Sequence, residues 1–137
     1  MGLILDTGVL IAAERRGQAV SDLLRSIREH TGQDQLAMSA ISAMELAHGI
    51  WRADSDVRAK LRRLFLDEVY AAIPVLPFTR ETAERAARID VENRRRGKLI
   101  ALAALQIGAT ALELGYSVAT GNARHFEMIP DVNVIHL

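Results

Sequence analysis

Two carboxylates stand at positions where the chain could carry out metal or acid–base chemistry, Asp6 and Glu45. Asp6 directly follows the apolar run 3–5, which predicts a short strand buried on both faces. Its position alone leaves two roles open, a cap for the following helix and a functional acid. Glu45 lies between Met44 and Leu46 in a largely apolar segment. Because an unbalanced buried carboxylate is costly, Glu45 either points to solvent, as Glu usually does, or has a function.

A third polar group follows a later apolar run. Thr120 ends the segment 116–120, and Asn122 comes two residues after it. A hydroxyl and an amide at the end of a strand often serve only to bond backbone groups or to cap a helix. They can equally orient a metal-bound water or neighbouring carboxylates. None of the three segments decides the function by itself.

The elements that must position these residues follow from the spacing of apolar side chains and from turn residues. Apolar runs predict strands at 3–5, 35–38, 75–76, 116–120 and 132–135. Helical spacing predicts helices at 9–13, 19–30, 41–50, 54–72, 79–95 and 99–114, and a helical turn at 122–127. Short strands separated by helices, without a hairpin signal, predict a parallel sheet with crossover helices. We therefore expect one α/β domain over 1–137, with three α/β/α layers and its ligands at the carboxyl ends of the strands.

The composition narrows the class of protein. Half of the 137 residues are hydrophobic and only 4% are aromatic, which favours helices packed on a small aliphatic sheet. The absence of cysteine excludes disulfides and thiolate metal sites and suits a cytoplasmic location. We expect no signal peptide, since an acid comes too early, and no membrane span, since the longest uncharged stretch, 99–112, falls short of about 20 residues. The net charge of zero means that any contact with RNA must come from a local basic cluster.

Four segments in register resemble the motifs of the PIN-domain family, in particular the VapC toxin ribonucleases of type II toxin–antitoxin pairs. They are Leu-Asp-Thr-Gly-Val-Leu-Ile at 5–11, Ser-Ala-Ile-Ser-Ala-Met-Glu-Leu-Ala-His-Gly-Ile at 39–50, Leu-Gln-Ile-Gly-Ala-Thr-Ala-Leu at 105–112 and Ala-Thr-Gly-Asn-Ala-Arg-His-Phe at 119–126. Each motif is loose, but their order and spacing are fairly specific and cover nearly the whole chain.

The resemblance implies cleavage of RNA with Mg²⁺ or Mn²⁺, ions that prefer oxygen ligands and keep several waters. By the resemblance, Asp6 and Glu45 would bind the metal, Asn122 would be an auxiliary group, and Thr120 would orient it. It also implies a homodimer and a small VapB-type antitoxin that blocks the cleft. The amphipathic segments 41–50 and 54–72 offer apolar surface for such a partner, although such helices also simply form cores.

Ala104 departs from the family pattern, which has Asp immediately before Leu-Gln-Ile-Gly-Ala. We expect position 104 to face the cleft beside Asp6, where alanine can bind neither a metal nor a proton. Asp90 and Glu92 lie on another predicted helix and are poor substitutes. Two interpretations follow: an inactivating substitution that allows a toxic nuclease to be produced, which we favour, or a natural loss in a chain retained for binding. Either predicts a weakened or inactive ribonuclease.

The densest basic cluster is Arg94-Arg95-Arg96-Gly97-Lys98, directly before the segment that carries Ala104. Its arginines suit RNA phosphates, while the structural alternative is a solvated helix end whose charges complement the helix dipole. Arg124 is a further candidate phosphate contact. His125, where the family often has Asp, is predicted to be a surface or capping residue.

Two other functions compete with a ribonuclease toxin. One is a non-catalytic module that binds RNA or antitoxin, for which the loss of an acid at position 104 would be harmless. The other is a nucleotide-binding or receiver-like α/β domain. No glycine-rich phosphate loop follows any predicted strand, and no Asp pair is matched with a suitable Lys, so the sequence disfavours it.

Overall fold

The fold is an α/β sandwich, described by a computed structural model that covers residues 2–137. Its strands are β1 (Leu3–Leu5), β2 (Leu36–Ser39), β3 (Val75–Leu76), β4 (Ser117–Thr120) and β5 (Val134–His136). Its helices are α1 (Thr7–Arg15), α2 (Val20–Thr31), α3 (Ala40–Trp51), α4 (Asp56–Ala72), α5 (Arg80–Arg95), α6 (Leu102–Leu114) and α7 (Arg124–Glu127).

The five strands form one sheet in the order β3-β2-β1-β4-β5, and every described pair is parallel. In the register of the central strand, Leu5 is opposite Met38 on one side and Ala119 on the other. The carboxyl ends of β1, β2 and β4 therefore meet at one edge. The predicted parallel α/β architecture is confirmed.

Two apolar cores lie on opposite faces of the sheet, because successive side chains of a strand point in opposite directions. Leu3 and Leu5 join the core on the side of α2 and α4, whereas Ile4 joins the core on the side of α5 and α6. All three side chains are fully buried. Burial on both faces explains why β1 is uniformly apolar in sequence, and it produces the three predicted layers.

Glycines end two of the helices where the sequence predicted an end. Gly32 follows α2 and Gly115 follows α6, with φ angles of 69° and 68°. This left-handed conformation is easily adopted by glycine, which lacks a Cβ. The backbone N–H of each of these two glycines donates a hydrogen bond to a carbonyl in the last turn of its helix.

The start of α6 differs from the prediction. We expected a helix over 99–114, but residues 99–101 are not helical and α6 begins at Leu102. Ala101, the cap residue, provides no side-chain hydrogen bond. The sequence therefore contains no capping residue that would mark the true start, and apolar spacing alone extended the helix by one turn.

No helix among residues 2–137 is both long enough and apolar enough to cross a membrane.

Candidate active-site cleft

The candidate site residues come from three neighbouring strands. Asp6 follows β1, Thr120 is the last residue of β4, and Glu45 lies in the second turn of α3, which begins directly after β2. The parallel arrangement brings these positions to the same edge of the sheet. Side chains far apart in sequence can therefore meet there.

Thr120 links the carboxyl end of β4 to the residue that follows the neighbouring strand β1. Its hydroxyl donates to Asp6 Oδ2 over 2.7 Å, and it accepts the backbone N–H of Asn122 over 2.9 Å. Thr120 is fully buried. The contact fixes one oxygen of the Asp6 carboxylate and leaves the other available to a ligand in the cleft.

Glu45 is held by a second chain of hydroxyls. The Thr7 hydroxyl donates to Glu45 Oε1 over 2.8 Å, and its oxygen lies 2.7 Å from Ser42 Oγ. Since Thr7 has only one hydroxyl proton and gives it to the carboxylate, Ser42 must donate to Thr7. Ser42 is fully buried and Thr7 nearly so. The Glu45 carboxylate thus lines the cleft and is hydrogen-bonded within the protein, so it does not simply point to solvent.

The other predicted positions of the site have fewer side-chain hydrogen bonds. Ala104 is 4% exposed and lines the cleft together with Asp6, Glu45 and Asn122. The Asn122 amide nitrogen lies 3.0 Å from His125 Nε2, and both of these residues are exposed. His125 is exposed, as predicted, and it also lines the cleft.

The cleft has a volume of about 780 Å³ and extends well beyond the carboxylates. One end contains the four predicted positions, Asp6, Glu45, Ala104 and Asn122. The remainder is lined by α1 and α2 and by residues just after α1, with Arg16 and His30 among the polar side chains. Thr120 lies beneath the surface of this cleft, through its bond to Asp6.

From the described part of the chain, the cleft offers only two carboxylates, Asp6 and Glu45, as ligands for a hydrated divalent cation. Among residues 2–137, no group of three or more His, Asp or Glu side chains is placed to hold a metal ion. Asp6 and Glu45 each keep one carboxylate oxygen that makes no hydrogen bond to another described residue. Mg²⁺ commonly binds through one or two carboxylates and retains waters, so two such oxygens suit it, but weakly.

The residues predicted to contact RNA are not among the described residues that line the cleft. Arg94 makes an ion pair with Asp90 over 2.8 Å along α5, whereas Arg95 and Arg96 make no ion pair with any described residue. Lys98 follows Gly97 and is exposed, as is Arg124 on α7. The structure brings the acids together, but it does not bring this basic cluster to them.

Sequence reasoning missed the supporting hydroxyls Thr7 and Ser42. A signal was present for each of them. Thr7 is adjacent to Asp6, and Ser42 precedes Glu45 by three residues, the spacing that places two side chains on one face of a helix.

Comparison with known proteins identifies the family. The PIN domain family model matches residues 3–131, and a Ribonuclease VapC from Rickettsia bellii is 32% identical over 136 residues, which is 98% of this chain and 96% of that protein. The chain belongs to the PIN-domain family. A second relative of this PIN domain, Ribonuclease VapC1 from Rickettsia felis, is 30% identical over 98% of this chain and 96% of its own length.

Solved structures agree with the fold of this PIN domain. VapBC2 from Rickettsia felis, bound to a DNA fragment from its promoter, contains a chain that matches with a TM-score of 0.86 at 18% identity, over 100% of this chain and 99% of that one. FitAcB from Neisseria gonorrhoeae matches with a TM-score of 0.79 at 26% identity, over 98% and 96% of the two chains. The expected resemblance to VapC-type PIN domains is confirmed.

Proposed function

We propose that this PIN domain has the frame of a metal-dependent endoribonuclease toxin, in a form that Ala104 leaves weak or inactive. The observation that supports the proposal best is the pair of carboxylates, Asp6 and Glu45, each fixed by a hydroxyl donor in one cleft. Its relatives of at least 30% identity are ribonucleases by name.

The ion would be Mg²⁺ or Mn²⁺, held by the outer oxygens of Asp6 and Glu45, with Asn122 as an auxiliary group. PIN-domain ribonucleases generally use divalent metal ions. When bound, such an ion lowers the pKa of a coordinated water and stabilises negative charge on the attacked phosphate. Thr120 and Thr7 orient the two carboxylates, and Thr120 also fixes the backbone of Asn122 through its N–H.

Ala104 accounts for the proposed weakness. The side chain occupies the third position of α6 and faces the cleft that contains both acids. A methyl group there provides no ligand and no negative charge, so only two carboxylates balance a doubly charged ion. Asp90 and Glu92 cannot replace it, since both lie on α5 and are paired with Arg94 and Arg88.

RNA would be the substrate, and its phosphates would contact the cluster Arg94, Arg95, Arg96 and Lys98 on the path leading to the cleft, with Arg124 as a further contact. The segment 99–101 joins this cluster to α6, and its last residue, Ala101, lines the cleft. Arginine forks match phosphate oxygens well. The net charge of zero makes such a local cluster necessary.

A VapB-type antitoxin would be the protein partner, as in the VapBC complexes to which this fold is similar. The α3 and α4 helices leave large apolar side chains exposed, including Met44, Trp51, Leu61 and Leu64. Trp51 is 87% exposed, so it does not contribute to the core. A homodimer remains a prediction from the family resemblance.

The decisive variant is Ala104→Asp, which restores a carboxylate beside Asp6 and Glu45. We expect Mn²⁺ to bind about 100-fold more tightly, since even the loss of an outer-shell partner costs about 10–100-fold in metal affinity. Calorimetric titration of the parent and the variant measures this change. Cleavage of a structured RNA, absent or slow in the parent, should appear in the variant with Mg²⁺ or Mn²⁺.

Ala104→Asn provides a matched control, because it adds nearly the same volume without a charge. Thermal melts with and without Mn²⁺ show whether each variant folds and whether the metal stabilises it. Equal Mn²⁺ affinity in the parent and in Ala104→Asp would contradict the proposal. RNA binding without cleavage by both proteins would favour the alternative, a non-catalytic RNA- or antitoxin-binding module.

A further inference from the structure

The cleft is longer than a metal site requires. It follows α1, whose nine residues span about 14 Å at 1.5 Å per residue. Asp6 precedes the first residue of this helix, and Arg16 follows the last. An Mg²⁺ ion with ligands about 2.1 Å away fills only the end beside Asp6. The end beside Arg16 is therefore left for another part of a ligand.

One face of α2 forms the floor of this far end. The lining residues Leu23, Ser26, Ile27 and His30 are spaced by three and four positions, so they lie in a row along the helix. Leu23 and Ile27 are each only 4% exposed, whereas Ser26 and His30 are exposed. The floor is thus apolar, with a hydroxyl and a flat imidazole beside it.

Arg16 and Gln18 form a polar rim with a defined hydrogen-bonding character. Arg16 Nη2 donates to Gln18 Oε1 over 2.7 Å. This contact directs the Gln18 amide oxygen towards the guanidinium, so the pair presents mainly donors, the amide N–H groups and the remaining guanidinium N–H groups. A ligand that offers hydrogen-bond acceptors therefore fits this rim.

We propose that the far end is a nucleobase subsite, formed by Arg16, Gln18, Leu23, Ser26, Ile27 and His30. A base has two apolar faces for the floor and the imidazole, and an edge with carbonyl or ring-nitrogen acceptors for the rim. A paired base in a duplex keeps both faces stacked and cannot enter. The base would belong to a nucleotide next to the phosphate at Asp6 and Glu45. This inference rests on the proposed function.

The test compares two strands of equal length and equal charge, a single-stranded RNA oligonucleotide and an abasic strand with the same sugar–phosphate backbone. Fluorescence anisotropy measures their affinities at one fixed salt and Mg²⁺ concentration. One inserted base should make the RNA bind about tenfold more tightly than the abasic strand, as expected for stacking of a single base.

Ala12→Leu fills the subsite without disturbing the core, because Ala12 is exposed on α1 and lines the cleft. We expect it to remove the tenfold preference and to leave the abasic strand unaffected. Ala87→Leu, at an exposed helical alanine of α5 outside the cleft, is the matched control and should preserve the preference. His30→Gln, with His48→Gln as its control on α3, should reduce the preference by a smaller factor.

Each remaining outcome overturns a distinct statement. Equal affinity for both strands, or equal weakening of both by Ala12→Leu, would show that the far end binds only backbone phosphate and would overturn the subsite. If neither strand binds, the proposed RNA substrate is overturned and the subsite with it. A duplex that binds as tightly as the single strand would overturn the subsite, since a paired base cannot enter it.

Discussion

The two sides of the acidic end of the cleft differ sharply in how they are built. We define the supported wall by the residues that form buried or half-buried hydrogen-bond chains, Asp6, Thr7, Ser42, Glu45 and Thr120. We define the bare wall by three other residues that line this end, Ala104, Asn122 and His125. On the supported wall each carboxylate has a hydroxyl donor, whereas the bare wall has one exposed side-chain contact and a methyl group.

This difference shows that the hydrogen bonds of the supported wall do not require an acid at position 104. These hydrogen bonds join Thr7, the first residue of α1, to Ser42 and Glu45 of α3. They also join Thr120 of β4 to Asp6, which follows β1, and none of these bonds involves α6. Within residues 2–137, every buried side-chain nitrogen and oxygen has a hydrogen-bond partner. Alanine at position 104 therefore leaves no buried polar group unsatisfied among these residues, and the hydrogen bonding of the fold is complete without an acid there.

The largest expected difference between the walls is in their contribution to Mn²⁺ affinity. It is measured with variants made in the protein that already carries Ala104→Asp. Asp6→Ala should lower Mn²⁺ affinity by about 100-fold or more, because it removes a carboxylate that the hydroxyl of Thr120 holds in place. Asn122→Ala should lower it by about tenfold, since a neutral amide contributes no charge. Calorimetric titration of the two variants gives both numbers. A greater loss from Asn122→Ala than from Asp6→Ala would reverse the proposed order of the two walls.

The supported wall was only half predictable from the sequence. Asp6 and Thr120 could be proposed because polar groups at the ends of predicted parallel strands meet at one edge. Glu45 could be proposed because a carboxylate in a largely apolar segment is costly without a function. The bonds through Thr7 and Ser42 could not, since hydroxyls frequently bond only their own backbone and the packing of α3 against α1 decides otherwise. For the fold, apolar runs predicted β1 and β2 clearly, because all of their residues are buried. The edge strands β3 and β5 are only partly buried and carry a weaker pattern.

The bare wall was less predictable, for a different physical reason. Leu99–Leu114 was predicted as one helix, but Ile100 is buried in a non-helical segment that precedes α6. No capping residue marks the boundary, so only tertiary packing determines it. His125 was predicted as a surface or capping residue and is exposed. That it also lines the cleft depends on the turn after β4, which no periodic pattern describes.

A smaller difference is expected in stability. Thr7→Val keeps the shape of the side chain but removes the hydroxyl between Ser42 and Glu45, so buried Ser42 loses its partner. We expect a loss of about 1–3 kcal/mol in the free energy of unfolding, the usual cost of leaving a buried polar group unsatisfied. Urea denaturation measures this loss. His125→Ala breaks the exposed contact to Asn122 and should change stability by no more than about 0.5 kcal/mol. Equal losses in the two variants would remove the distinction between the walls.

The smallest expected effect concerns RNA affinity outside both walls. Arg95 and Arg96 lie beyond the cleft, so each should contribute one phosphate contact and no part of the metal site. Arg95→Ala should weaken RNA binding by a few-fold at low salt and reduce the slope of log affinity against log salt by about one. Binding measured across a salt series gives this slope.

Arg80→Ala is the matched control for this last effect, since it removes the same charge from the opposite end of α5, where the side chain is 85% exposed. A uniform charge effect would give the two variants equal slopes, because each changes the net charge of zero by the same amount. A local phosphate contact would change only the slope of Arg95→Ala. Because Mn²⁺ affinity should be unaltered in both variants, the measurement separates RNA binding by the basic cluster from metal binding by the two walls of the cleft.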